Sequence, residues 1–309
     1  MTSEPPAVTV VIPVRDEEAS VRQLLEALSE QTLVPNEILF VDSGSRDGTR
    51  AIIEEAALPS CRVVSIPRSS RIGAARNVGV RLASSSVVAT TDGGAHPDPH
   101  WLESLTRPIF TGASSFSYGA VVPWGSTQGE AFLSELLLPP AGMHREGAGI
   151  NTAYTVDAWR EAGGYPESPV SGEDLGLVER MTKAEITAAY VPTAVVYWHG
   201  PGSISSYLRQ YFRYAEGDAV RRRNLQAHVL RLATYTCATL SVRHRVAVLP
   251  TLIQVCVRTG DRIARLRAHA ATRSIPYGHR FELSVPLLLV MGDMAKIAGF
   301  VKGLLSTPK

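Results

Sequence analysis

Short apolar runs that stop abruptly at a turn recur through the first ninety residues, and their spacing constrains the fold more than any other feature. Val8–Pro13 (VTVVIP) is a continuous, largely β-branched run. A strand buried on both faces needs such a run, because polar and apolar positions alternate only where one face meets water. Glu37–Asp42 (EILFVD), Val63–Ile66 and Val87–Asp92 repeat the pattern. Between them, Asp16–Gln31, with Val21, Leu24, Leu25 and Leu28 at helical spacing, Arg50–Ala57 and Ile72–Ala83 read as helices. Strands alternating with helices at this pitch predict an α/β fold with a Rossmann-like, doubly wound and mainly parallel sheet. Ligands of such sheets bind where the strands end, since the crevice and the helix N-termini lie there. Two acids, Asp42 and Asp92, stand at strand ends, and Gly93, Gly94 and Pro97 stop the fourth strand from continuing.

The turns also exclude chemistry. After the first strand comes VRDEEAS, without a glycine, so neither the dinucleotide fingerprint nor a P-loop is available, and a nicotinamide dehydrogenase or P-loop NTPase is not expected. Three cysteines, Cys61, Cys237 and Cys256, lack paired spacing and suggest neither a disulfide framework nor a zinc cluster. The opening MTSEPPAV has no basic segment followed by an apolar run, which together with the cysteines predicts a cytoplasmic protein. The net charge of +2 conceals a split. Residues 1–200 carry 14 Lys and Arg against 24 Asp and Glu, whereas residues 201–309 carry 17 against 5. The basic end favours anionic surfaces, and the acidic front half argues against nucleic acid as the partner.

Four motifs, in order and at ordinary spacing, carry a resemblance: VTVVIPVRDEE, EILFVDSGSRDGT, RIGAARNVGV and TTDGGAHPDPHWL. Together they resemble the N-terminal half of the inverting family 2 glycosyltransferases, which have the GT-A fold. The likeness continues through VDAWREAGGY, GEDLGLVERM and WHG, ending at Gly200. The resemblance implies a nucleotide-sugar donor (a UDP-, GDP- or dTDP-sugar) whose pocket is lined by Pro13, Arg15 and Glu17. Asp42, with Ser43 beside it, would accept from the base, and Arg76 and Asn77 would meet the nucleotide or its phosphates. The bland readings are an Asx turn for Asp42 and a solvated helix face for Arg76.

Asp92, Gly93 and Gly94 occupy the place of the family's DxD motif, which brings carboxylate to the ribose and to a Mn²⁺ or Mg²⁺ on the diphosphate. The last position here is glycine. Asp92 then carries the metal with help from His199 or His96, or diphosphate and water hold it; imidazole with carboxylate suits Mn²⁺ better than Mg²⁺. Glu173 and Asp174 follow a Pro/Ser/Gly loop and open a helical run, where the helix dipole favours ionised carboxylate and where an N-cap is the ordinary role. By the resemblance Asp174 is the general base and Glu173 orients the acceptor or the base. Trp124 suits core packing or stacking on a sugar.

From these motifs we expect a GT-A nucleotide-sugar-binding and catalytic domain over residues 1–205 and a basic, helical region over 206–309. Arg209, Arg213, Arg221–Arg223, Arg258, Arg262 and Arg265 suit docking on the cytoplasmic face of a membrane, with a lipid-linked acceptor, or a homodimer interface. Leu287–Met291, Ile297, Phe300 and Val301 would add shallow insertion. The apolar stretches of this region are broken by Asp293, Lys296 and Lys302, so a helical appendage rather than a membrane span is expected. A sugar nucleotidyltransferase and a non-catalytic nucleotide-sugar-binding protein of the same fold are the rival readings. The first normally has a glycine-rich basic loop where VRDEEAS stands, and intact Asp42, Asp92 and Asp174 speak against the second.

Overall fold

The computed structural model describes residues 7–137, 149–168, 171–241, 248–270 and 279–306. Strand β1 (Val8–Val14) is buried along its whole length, as its β-branched run requires. Val8, Val10 and Ile12 pack on one face with helix α1 (Val21–Ser29), whose Val21, Leu24, Leu25 and Leu28 form the predicted stripe, and with Trp101 and Leu105 of α4 (Trp101–Phe110). Val11 belongs to the opposite face, with Ala75 and Val80 of α3 (Ile72–Leu82) and with Trp159, Tyr165 and Leu177. Alternate residues of one strand therefore serve two cores, which is why the run is apolar apart from Thr9, whose hydroxyl donates to Glu37 at 2.9 Å.

β1 is flanked in parallel by β2 (Glu37–Asp42) and by β4 (Val87–Thr90), and β2 in turn by β3 (Cys61–Ser65), with α2 (Thr49–Glu55) connecting the last two. The sheet then changes character. β7 (Thr152–Thr155) runs antiparallel to β4 and to β6 (Phe116–Trp124), and β5 (Ala95–Pro97) runs antiparallel to β8 (Ala188–His199). The order is β3-β2-β1-β4-β7-β6-β8-β5. The sheet is thus mixed, and the expectation of a mainly parallel sheet holds only for its first four strands. The fourth strand also ends earlier than expected, at Thr90, which leaves Asp92 in the turn beyond it.

The chain forms two compact units. The first comprises Met1–Val122, Ala141–Pro169 and Glu173–Trp198, and includes α6 (Val156–Glu161) and α7 (Glu173–Lys183). The second comprises Pro123–Pro140, Val170–Gly172 and His199–Lys309. The division falls at His199 rather than at 205, and α5 (Gln128–Leu137) joins the helical unit because its apolar side chains pack there. Phe132 meets Phe281 at 5.4 Å between ring centres, and the Tyr211 hydroxyl donates to the Leu136 carbonyl at 3.2 Å.

In the second unit α8 (Ile204–Arg221) opens on a capping box between Ser203 and Ser206, and α9 (Leu225–Ser241), α10 (Val248–Ala270), a 3-10 turn (His279–Ser284) and α11 (Val285–Ser306) follow. By length and composition alone, Arg280–Ser306 is long and apolar enough to cross a membrane. Within the unit it packs closely on α8: a Cβ at Gly299 would lie 2.1 Å from the Phe212 carbonyl oxygen. Leu288 and Leu289 are buried and Phe300 stacks on His228, so of the residues expected to insert into a bilayer, Leu287 and Val301 are exposed.

Candidate active site

The acids singled out in the sequence gather around one side chain, Arg76. It projects from α3 and is 1% exposed. One terminal nitrogen donates to Asp92 Oδ1 at 2.6 Å and the other to Glu173 Oε1. Its Nε is buried without a hydrogen-bond partner. Arg76 is therefore not on a solvated helix face; its guanidinium ties the turn after β4 to the first residue of α7. A buried arginine needs such partners, since an unpaired charge in the interior costs several kcal/mol.

Glu173 and Asp174 do open α7, as the sequence indicates. Burial pushes the Glu173 carboxyl up to about 7: Arg76 pulls the other way but is shared with Asp92, and the charge of Asp174 adds to the rise. Asp174 Oδ2 accepts from the Gly149 backbone N–H at 3.0 Å, and Oδ1 from the Leu175 N–H at 2.8 Å. Gly149 is a glycine for a steric reason. A Cβ there would lie 2.7 Å from an Arg76 terminal nitrogen and 2.8 Å from Asp174 Cβ. The Thr90 hydroxyl fixes it from the sheet by donating to its carbonyl at 2.8 Å.

At the end of β2, Asp42 is buried, and its Oδ1 accepts from the Ser45 backbone N–H at 2.9 Å and from the Ser45 hydroxyl at 2.6 Å. The turn interaction anticipated as the bland reading is present on that oxygen. Ser43 is buried beside it and Pro13 pairs with Val41 inside the sheet. Arg15 reaches the Arg68 carbonyl at 3.4 Å. The loop after β1 is braced by Asp16, which adopts a left-handed φ of 58° and accepts from the Arg46 N–H at 2.9 Å and from Arg68 at 2.5 Å. These bonds hold the Asp16 carboxyl down at about 2. Arg68 also donates to the Gly44 carbonyl at 2.7 Å, and no motif in the sequence marked it.

Glu17 arrives where the sequence seemed to lack an acid. A Cβ at Gly94 would lie 3.8 Å from Glu17 Oε2, and one at Gly93 would lie 2.8 Å from Glu17 Cγ. Burial raises the Glu17 pKa, and the charge of Asp92 raises it further, against a hydrogen bond from Ser20. Two carboxylates held near one another are a fit donor set for a hard divalent cation, which relieves their repulsion. His199 closes β8, whose Trp198 pairs with Ala95 of β5. It opens the second unit, where Nε2 lies 3.5 Å from Glu130 Oε2 and its ring meets Trp124 edge-on at 5.3 Å. No group of three or more His, Cys, Asp or Glu suited to a metal occurs among the described residues.

Asn77, beside Arg76, has its whole amide engaged. Nδ2 donates to the Tyr165 carbonyl at 2.9 Å and to Glu167 at 2.8 Å, while Oδ1 accepts from the Tyr165 N–H at 2.8 Å and from Trp159 Nε1 at 3.2 Å. It braces the loop that leads into α7. A cleft of about 450 Å³ opens beside it, lined by Arg81, Trp159, Tyr165 and Arg180.

The model of the "Glycosyl transferase family 2" family matches residues 9–158. Glycosyltransferase AglE of Haloferax volcanii is 27% identical over 232 residues, 71% of this chain and 75% of that protein. The succinoglycan biosynthesis protein ExoA of Rhizobium meliloti is 28% identical over 225 residues, 68% of each. Among solved structures, the mannosyltransferase PcManGT from Pyrobaculum calidifontis, in complex with GDP-Man and Mn²⁺, aligns over 99% of this chain and 89% of its own, with a TM-score of 0.61 and 20% identity. Residues 9–158 match the family 2 glycosyltransferases, the fold is GT-A, and the curated relatives are glycosyltransferases, which sets the nucleotidyltransferase and non-catalytic readings aside.

Proposed function

We propose that this enzyme transfers a sugar from a nucleoside-diphosphate donor to an acceptor hydroxyl with inversion at the anomeric carbon. One observation carries the reading: Asp92 and Glu173 share the Arg76 guanidinium, so the acid that faces the donor and the acids that open α7 belong to one construction. In it, Asp174 takes the proton from the acceptor hydroxyl. The acceptor oxygen bonds to the anomeric carbon, the bond from that carbon to the diphosphate oxygen breaks on the opposite face, and the nucleotide leaves. The Gly149 N–H orients the Asp174 carboxylate, and Glu173 keeps Arg76 in place. Asp42 presents its Oδ2 to the N–H of the base, with Pro13, Arg15 and Ser43 around it. Asp92 and Glu17 would hold a Mn²⁺ or Mg²⁺, which when bound neutralises charge on the departing diphosphate. The complex of PcManGT with GDP-Man and Mn²⁺ supports this donor chemistry. The basic helical unit suits the anionic cytoplasmic face of a membrane, where a lipid-linked acceptor would be presented.

Thermal stabilisation by UDP-, GDP- and dTDP-sugars, with and without Mn²⁺, tests the reading. The true donor at a hundred times its Kd should add about 2.7 kcal/mol, less after chelation by EDTA. If none of these donors stabilises the protein, the proposal fails; if EDTA changes nothing, the metal part of it fails.

A further inference from the structure

The helical unit holds a second charged construction. Asp293 of α11 is 1% exposed. It accepts from Arg231 Nε of α9 at 2.9 Å, from both terminal nitrogens of Arg258 of α10, and from the Tyr235 hydroxyl at 2.9 Å. A terminal nitrogen of Arg231 donates to His228 Nδ1 at 2.9 Å, and the other ring nitrogen of His228 meets Asp218 at 3.0 Å. One turn along α11 from Asp293, the Lys296 ammonium lies 3.8 Å from the centre of the Tyr211 ring. Two arginines thus converge on one buried carboxylate, with the Lys296 ammonium on the same helix one turn away. Burial, and then the charges of Arg231, Arg262 and Arg258, outweigh Asp293 and bring the Lys296 pKa down to about 7.

Arg231, Tyr235 and Arg258 also line a cavity of about 180 Å³, together with Ala227, Leu230 and Thr234. That is about six times the volume of a water in the liquid, enough for a tetrahedral anion. Two of its lining residues, Ala227 and Leu230, are exposed, Leu230 to 62%, and present apolar surface to solvent.

We propose that this cavity binds the phosphate group of an anionic amphiphile, with Arg231, Arg258 and Tyr235 facing the phosphate oxygens and Ala227 with Leu230 receiving the hydrocarbon chain. Planar guanidinium groups match phosphate oxygens in pairs, and buried charge is stabilised by a counter-ion that reaches it. A free phosphate would satisfy the arginines yet leave that apolar surface in water. The inference deepens the membrane-surface part of the proposed function and is independent of the transfer chemistry.

Binding of soluble dihexanoyl phosphatidic acid and of inorganic phosphate to the full chain, measured by calorimetry, tests it on the wild type, Thr234→Glu and Lys296→Met. The amphiphile should bind the wild type at least about tenfold more tightly than phosphate, a difference of about 1.4 kcal/mol. Thr234→Glu, which places a carboxylate in the cavity, should weaken the amphiphile by about tenfold or more while leaving the unfolding midpoint unchanged or raised. Lys296→Met should weaken it in the same direction, and serves should the first variant misfold. Equal affinity for phosphate and amphiphile overturns the lipid assignment, and unchanged binding in both variants overturns the cavity. Retention of phosphatidylglycerol vesicles by variants that no longer bind the amphiphile would place membrane contact elsewhere on the unit and overturn the proposal too.

Discussion

Asp174 differs from its neighbour Glu173 in what each carboxylate can do. Asp174 is held by two backbone N–H groups, one on each carboxylate oxygen, which fix its orientation. Asp174→Asn keeps the size of the side chain and one of the two N–H contacts, so donor binding should persist while turnover falls by about 10² or more; near-normal turnover in single-turnover assays would move the base to Glu173. Glu173 carries a stability signature of its own. Its carboxyl titrates at about 7 when folded against an ordinary value of 4.5. The folded state therefore holds this proton more tightly than the unfolded chain. Its contribution is complete below about pH 4.5 and is lost as the pH rises through about 7, a difference on the order of 3 kcal/mol. Denaturant titrations from pH 4 to 8 should show that decline in the wild type and a flatter profile in Glu173→Gln; parallel profiles would mean that Arg76 keeps Glu173 ionised throughout.

Among the elements, α3 depends on close approach. Gly79 faces β1, and a Cβ there would lie 2.2 Å from Val11 Cγ1, on a β-branched side chain that is fully buried and has no room to turn. Gly79→Ala should cost about 1–3 kcal/mol through overpacking, despite alanine's better helix propensity. Because α3 also carries Arg76, the same substitution should reduce activity more than its stability loss alone explains; a variant as stable and active as the wild type would show that the helix shifts freely. α11 uses the same device against α8 at Gly299. One side of it packs inside the helical unit, where Asp293 is buried and Lys296 half-buried, while Leu287, Val301, Leu304 and Leu305 remain exposed.

For the molecule as a whole, the charge division has a measurable consequence. Co-sedimentation with phosphatidylglycerol vesicles should be strong at low salt and weak at high salt, since each basic residue near an anionic leaflet contributes about 1 kcal/mol that salt screens; binding insensitive to salt would point to insertion of apolar side chains instead. The parallel strands, the α1 stripe, the strand-end acids and the acid pair that opens α7 were all legible in the sequence, because burial on two faces, helical period and turn chemistry are local in the chain. The antiparallel half of the sheet was not, since β7 and β6 pair across long separations with no local signature. The acid missing at Gly94 is likewise met in space by Glu17, from a loop more than seventy residues earlier. The inward turn of Arg76 and of Arg258 was also decided by the tertiary structure: a run of residues determines which side chains carry charge, and only packing determines which buried carboxylate each must reach.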